Sequence, residues 1–286
     1  MSRTVFGLQR RVVAAETSRA WKEAPHVSFT YEMNFTQLYD CLLEAKTKGI
    51  TINTVILKLI TEALKKAPKM NATMQYLSFL AAGKLETHDE IAITLPMTFP
   101  NGKMMSVRMH HFENKTLCQM QQEADRVSEK VRHTDLNAVL QPLAVKHTAK
   151  LILKGHLKTG IGRMLGCIQQ IMSKERYGIV PEGEGLKEED LLPGTITVSN
   201  LGSLYPKMKG YPSLIEIIPP MVCAIALGAI QEKAMVGESI YAGRVLPICI
   251  VFDHRALDFG DIIPFIRELD QISEKPELLR SWIEEE

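Results

Sequence analysis

The sequence predicts a mixed α/β (α+β) fold: a central sheet flanked by helices, with an inserted helical segment. Three observations carry this. Val27, Phe29, Tyr31 and Met33 recur at every second position, the period of a strand with one covered face. Ile52, Val55, Ile56, Leu59, Ile60, Ala63 and Leu64 follow the i, i+3, i+4, i+7 template of an amphipathic helix. Val245 to Phe252 is nearly all apolar, as in a central strand buried on both faces. Strands and helices interleaved at this spacing pack as layers around one large sheet.

The elements follow in order. Arg10 to Trp21 predicts a helix ahead of Pro25, and the Val27–Met33 strand comes next. Phe35 to Lys48 reads as a helix stopped by Gly49. The helix that starts at Ile52 is ended by Pro68. Short strands are expected at 75–86, 91–98 and 104–110, with a turn at Pro100-Asn101-Gly102. Leu117, Met120, Ala124, Val127 and Val131 mark a further helix. Residues 136–174 hold Lys146, Lys150, Lys154, Lys158, Arg163 and Lys174 and no acidic residue. The four lysines at every fourth position form one stripe on a helix. Gly155, Gly160, Gly162 and Gly166 weaken that helix and can divide it. An acidic loop runs from Pro181 to Asp190 and closes at Pro193-Gly194. Strands are expected at Thr195–Val198 and Met221–Leu227, and helices from Asp261 to Glu274 and through Trp282.

Composition excludes several classes. Hydrophobic residues make up 45% and charged residues 23%, which excludes disorder and collagen-like repeats. The net charge is +1, so no global basic field exists to hold nucleic acid by counterion release. The five cysteines (41, 118, 167, 223, 249) are scattered and form no CxxC pair, which suggests neither a zinc site nor a disulfide framework. A reducing, cytoplasmic setting fits that usage. The start carries Arg3, Arg10 and Arg11 without an apolar stretch, so no targeting segment is expected. The longest apolar run, Ile217–Ile230, is interrupted by Pro219 and Pro220 and is too short to span a bilayer.

No GxxxxGK[ST], GxGxxG after a strand, HExxH or GxSxG occurs, which disfavours nucleotide cradling, zinc peptidase chemistry and a nucleophile elbow. No metal is expected: the other histidines (26, 88, 110, 111, 133, 147, 156) form no ligand spacing. His110 and His111 are adjacent and are expected on opposite faces of a strand. Two segments can carry chemistry. The Val245–Phe252 strand runs directly into Asp253-His254-Arg255-Ala256-Leu257-Asp258-Phe259-Gly260-Asp261. A histidine at a strand exit can be aimed into a cleft and can take a proton from a thiol or hydroxyl near neutrality. Asp258 can fix the loop or the imidazole tautomer, and the competing reading is an aspartate cluster capping a helix. In Thr197-Val198-Ser199-Asn200-Leu201-Gly202, a strand ends in small polar residues. Ser199 can present a hydroxyl to an oxyanion, against the plainer reading of a Ser-Asn turn.

Taken together and in this order, the segments resemble a family. SNLG, the Pro-Pro pair, the apolar strand MVCAIALGAI and then FDHRALD look like the catalytic domain of dihydrolipoamide acyltransferases of 2-oxo-acid dehydrogenase complexes. Arg10-Arg11, Ala24-Pro25-His26-Val27, the helix at 52–66, Pro68-Lys-Met-Asn71-Ala72 and Leu191-Leu-Pro-Gly194 agree with it. The resemblance implies the chloramphenicol acetyltransferase-like fold and one catalytic domain over 1–286, with about 134–185 inserted.

It further implies a CoA-dependent acyltransferase, moving an acyl group between a thioester and a thiol or hydroxyl acceptor. His254 falls on the family's general base, Asp258 on the aspartate that supports the site, and Ser199 on the oxyanion-stabilising serine. Asn200 is a lesser candidate for holding geometry. Coenzyme A or acyl-CoA is the implied substrate, and a homotrimer, or a multiple of trimers, the implied assembly, with each site between two subunits. No acyl-enzyme is implied, so no nucleophilic cysteine is needed. The sequence departs from the family at Phe259, where a glycine is usual, and shows no lipoyl domain; an acceptor such as a separate lipoyl protein would have to supply that arm. The rival expectations are an inactive trimeric scaffold or regulatory homologue, and a partner- or membrane-surface-binding protein acting through 136–174. The lysine stripe is read first as a solvated helix face, and otherwise as a contact for an anionic membrane, an acidic partner or the phosphates of CoA.

Overall fold

A computed structural model describes residues 6–142 and 184–284. The expected lysine stripe at 146–158 and Cys167 lie outside the described residues, as does most of the expected insert. The chain divides into two compact units, one comprising 1–19, 96–107 and 126–192, the other 20–95, 108–125 and 193–286.

The second unit contains most of the sheet. In chain order its elements include the end of α1 (Leu8–Glu23), β1 (His26–Asn34), α2 (Leu38–Thr47) and α3 (Ile52–Lys66). The hairpin β2 (Ala72–Leu77) and β3 (Ala82–Thr87) forms a separate two-stranded sheet. Next come β4 (Ile93–Thr98), β5 (Met104–Met109) and α4 (Leu117–Arg132), each of which continues into the first unit. The last third holds β6 (Ile196–Asn200), the four-residue α5 (Leu201–Leu204), β7 (Cys223–Leu227), β8 (Gln231–Val236), β9 (Ile240–Asp253), α6 (Phe259–Glu274) and α7 (Pro276–Glu284). The strand order is β1-β9-β7-β6-β4-β5, with β8 paired to the start of β9. β6 runs parallel to β4 and β7, and β9 runs antiparallel to β1, β7 and β8, so the sheet is mixed.

Local chemistry explains the boundaries. Thr51 caps α3: its side-chain oxygen accepts from the Thr54 amide at 3.3 Å. The expected helix at Phe35 starts at Leu38 instead, because the Phe35 amide donates to the Arg244 carbonyl and the Asn34 side chain accepts from the Thr36 amide. The expected strand at 75–86 is the β2–β3 hairpin, turned through Ser78–Leu80 and a left-handed Ala81. β8 has no counterpart in the sequence reading, and β9 begins five residues earlier than expected, at Ile240. Both belong to an exposed ribbon with polar residues on either face, so no hydrophobic period marks them.

β7 is buried at all five residues and β9 at every residue from Val245 to Asp253, as expected for central strands. One sheet face carries Phe29 and Tyr31 of β1, against which α6 packs; the Tyr31 hydroxyl donates to Asp270 of α6. On the other face Ala224, Ala226, Cys249 and Val251 form a cluster with Ile217 and Met221.

In the first unit the Phe99–Lys103 turn is closed by the Phe99 amide on the Lys103 carbonyl and a left-handed Gly102. There the Thr134 hydroxyl accepts from the Leu186 amide at 2.7 Å, and Lys130 pairs with Glu184 at 3.2 Å.

Candidate active site

The segment after β9 is built to hold one side chain outward. Asp253 is 2% exposed, and both its carboxylate oxygens bind the Arg255 guanidinium, at 3.0 and 2.6 Å. The Asp253 carbonyl accepts from the amides of Ala256 and Leu257, which closes a tight turn. Arg255 also stacks on Tyr76, 4.7 Å from the ring centroid. His254, between these two anchored residues, is exposed and leans edge-on against the buried Phe252.

The imidazole has a defined tautomer. Its Nδ1 lies 3.1 Å from the Leu257 carbonyl oxygen. A carbonyl can only accept, so Nδ1 carries the hydrogen and Nε2 carries the lone pair. Asp258 was expected to hold the tautomer or the loop. Its carboxylate stands 3.6 Å from the same Nδ1, beyond hydrogen-bond distance. Asp258 is also the N-cap of α6, and its amide donates to Asp261 at 3.0 Å. Asp261 in turn pairs with Lys69 at 2.8 Å, which holds the Asp261 carboxyl below the ordinary range.

Ser199 lies on β6, half-buried. Asn200 caps α5: its oxygen accepts from the Ser203 amide at 3.1 Å, and its nitrogen donates to Asn53 at 2.5 Å. The turn beyond needs glycine, because a Cβ on Gly202 would strike the Gly228 carbonyl and stand 2.7 Å from the Ala229 Cα.

The register shows what is and is not brought together. Ser199 pairs with Ala226, and Ala226 pairs with Cys249. His254 follows Asp253, the last residue of β9, and the four residues of strand from Cys249 to Asp253 alone span about 13 Å at ~3.3 Å per residue. Ser199 also shares the face of Ala226 and Cys249, whereas Phe252, under the His254 ring, pairs with Val27 on the opposite face. Within one chain the two groups therefore stand at opposite ends of the sheet.

The cysteines on β7 and β9 are buried. Burial pushes the Cys223 thiol up to about 12 and also raises Cys249. The His110-His111 expectation is corrected. β5 stops at Met109, and His111 adopts a left-handed conformation (φ 56°), which breaks the strand alternation. Both rings turn to one carboxylate: Nδ1 of His110 is 2.6 Å and Nδ1 of His111 3.8 Å from Glu90 Oε1. Among the described residues no group of three His, Cys, Asp or Glu is arranged to hold a metal.

Comparison with known proteins bears on this arrangement. The family model for the 2-oxoacid dehydrogenases acyltransferase (catalytic domain) matches residues 3–139 and 180–280. The chain is 28% identical over 179 residues to the lipoamide acyltransferase component of the branched-chain alpha-keto acid dehydrogenase complex of Arabidopsis thaliana, covering 52% of this chain and 36% of that protein. It is 21% identical over 278 residues to the dihydrolipoyllysine-residue acetyltransferase component of the pyruvate dehydrogenase complex of Neurospora crassa, covering 93% of this chain and 48% of that protein. The chain thus spans less than half the length of either relative. The fold is similar to that of a probable dihydrolipoamide acetyltransferase from Listeria monocytogenes, with a TM-score of 0.67 and 18% identity over 96% of this chain and 95% of that one. It is also similar to the dihydrolipoamide acetyltransferase of Azotobacter vinelandii, with a TM-score of 0.68 and 15% identity over 98% and 93% of the two chains.

Proposed function

Since the chain belongs to the family of 2-oxoacid dehydrogenases acyltransferase catalytic domains, we propose that it is a CoA-dependent acyltransferase with His254 as general base. The observation that carries this is the imidazole geometry: Nδ1–H is spent on the Leu257 carbonyl, and the exposed ring offers Nε2 as the basic atom. Nε2 takes the proton of an incoming thiol, and the thiolate adds to the thioester carbonyl. The tetrahedral oxyanion is met by the Ser199 hydroxyl as donor. Collapse breaks the original C–S bond, and the departing thiolate takes the proton back from His254.

The site is shared between copies of the chain in a homotrimer. The register supports this, because one chain cannot bring its own Ser199 to its own His254 without dismantling the sheet. The Azotobacter structure addresses a serine, a histidine and an asparagine four places beyond it in that enzyme's mechanism. Ser199, His254 and Asp258 are the counterparts proposed here, with aspartate in the last position.

The test is transfer from acetyl-CoA to dihydrolipoamide, wild type against His254→Ala. Loss of a general base lowers the rate by roughly 10²–10⁴. Equal, measurable rates in two folded proteins reject the assignment, and no transfer by the folded wild type favours a scaffold without turnover.

A further inference from the structure

The imidazole of His26, at the start of β1, is held by two backbone groups of opposite kind. Its Nδ1 lies 2.7 Å from the Ala24 carbonyl oxygen, and its Nε2 lies 2.9 Å from the Ile217 amide nitrogen. A carbonyl only accepts and an amide only donates, so Nδ1 carries the hydrogen and Nε2 the lone pair. Both bonds together require the neutral ring. The ring also stacks on Trp21 of α1, with the centroids 5.0 Å apart.

The Ile217 bond joins residues 191 positions apart in the chain. Ile217 is fully buried in the cluster with Met221, Ala224, Ala226, Cys249 and Val251. Ser199 shares that sheet face through its pairing with Ala226. Residues 209–218 form neither helix nor strand, so ties to other elements decide how firmly they are held. The Gly210 carbonyl accepts from Gln231 at 2.9 Å, the Pro212 carbonyl from the Thr30 hydroxyl at 3.4 Å, and the Ile217 amide is pinned by His26.

We propose that His26 is a pH-sensitive latch: the neutral imidazole pins residues 209–218, and its protonation releases them. A proton on Nε2 removes the acceptor and sets two donors face to face, so the Ile217 bond is lost. The same proton strengthens the stack on Trp21, because an indole face attracts a cation. The ring thus has a partner in each charge state. The charged and titratable groups on the elements around it are Lys22 and Glu23 of α1, Glu216 beside Ile217, and Asp253, His254 and Arg255 at the end of β9. Asp253 is the cross-strand partner of His26, and its carboxylate is bound to Arg255, on which Glu23 also acts. The latched form holds one proton fewer at the ring, so it is complete at high pH and is lost as pH falls. The latch stands apart from the acyltransferase reading, since neither His26 nor Ile217 has a part in transfer.

The test is amide hydrogen exchange of the full-length protein, read by mass and corrected for the intrinsic pH dependence of exchange. From about pH 7.5 to about pH 5.5, peptides covering 209–218 in wild type should lose protection by roughly threefold to tenfold, the worth of one hydrogen bond, while α3 stays unchanged. His26→Gln keeps a donor and an acceptor that do not titrate, and should hold the stretch equally at both pH values. His26→Ala should leave it open at both. A wild type that does not open in acid overturns the latch, and so does equal acid opening in His26→Gln. Should neither variant fold, the imidazole nitrogen resonances of His26 in wild type decide. They should report protonation in step with the opening, and a ring that stays neutral while the stretch opens overturns the proposal.

Discussion

At the scale of the residue, the proposed base His254 is left exposed while its two neighbours pair with each other. Asp253 and Arg255 form a two-point ion pair whose acidic partner is almost fully buried. Arg255→Met leaves that carboxylate buried without its partner, and the loss of stability should approach about 3–5 kcal/mol. A drop in the urea midpoint checks this. Ser199 is predicted to act on the oxyanion, so Ser199→Ala should lower kcat by up to about 10²–10³ with KM nearly unchanged. A change confined to KM assigns Ser199 to substrate binding. Asn200 should behave differently from both. Its side chain caps α5, so Asn200→Ala should cost about 1 kcal/mol of stability.

At the scale of the element, α6 is anchored at its start by Asp261, which takes the Asp258 amide and the Lys69 ammonium. Its carboxyl is held below the ordinary range, first by the Lys69 hydrogen bond and then by the Asp258 amide. A depressed carboxyl stabilises the fold fully above its unfolded value and loses that contribution as pH falls through its folded one. Wild type should therefore exceed Asp261→Asn in stability at pH 6. The gap should close as pH falls below about 4, the ordinary aspartate range. Urea midpoints of both proteins from pH 7 to 3 check it, and a constant gap rejects it. The turn after β6 makes a second prediction. Gly202→Ala forces a Cβ into the Gly228 carbonyl and should destabilise by roughly 1–3 kcal/mol.

At the scale of the whole molecule, the proposed site needs two copies. His254→Ala and Ser199→Ala chains should each be nearly inactive alone. Assembled together from a denatured mixture, they should recover activity at interfaces that pair an intact His254 with an intact Ser199. A site within one chain gains nothing from such mixing. Mixed assemblies, verified by mass, that are no more active than the separate variants rule out the shared site.

Most elements could be read from the sequence because their periods are local. Alternation at 27–33, the helical template at 52–64 and the apolar run at 245–252 each report which face is covered. The strand-end positions of the proposed site residues were legible too, a histidine just past a central strand and a serine near the end of another. The β8–β9 ribbon was not, because the half-covered face of β8 carries Gln231, Lys233 and Met235 and the exposed face Ala234 and Val236, so hydrophobicity does not follow the alternation of burial. Nor was the convergence of His110 and His111, since one left-handed residue reverses what strand alternation dictates. Leu257's hold on the imidazole was hidden because a backbone carbonyl has no sequence signature. The distance between Ser199 and His254 depends on strand order and on the pairing of β6, β7 and β9. The sequence by itself determined that His254 follows a central strand and that Ser199 lies near the end of another. Pairing between strands distant in sequence decided that one chain holds them at opposite ends of a sheet, because register is fixed by packing of the whole fold and not by any local run of residues.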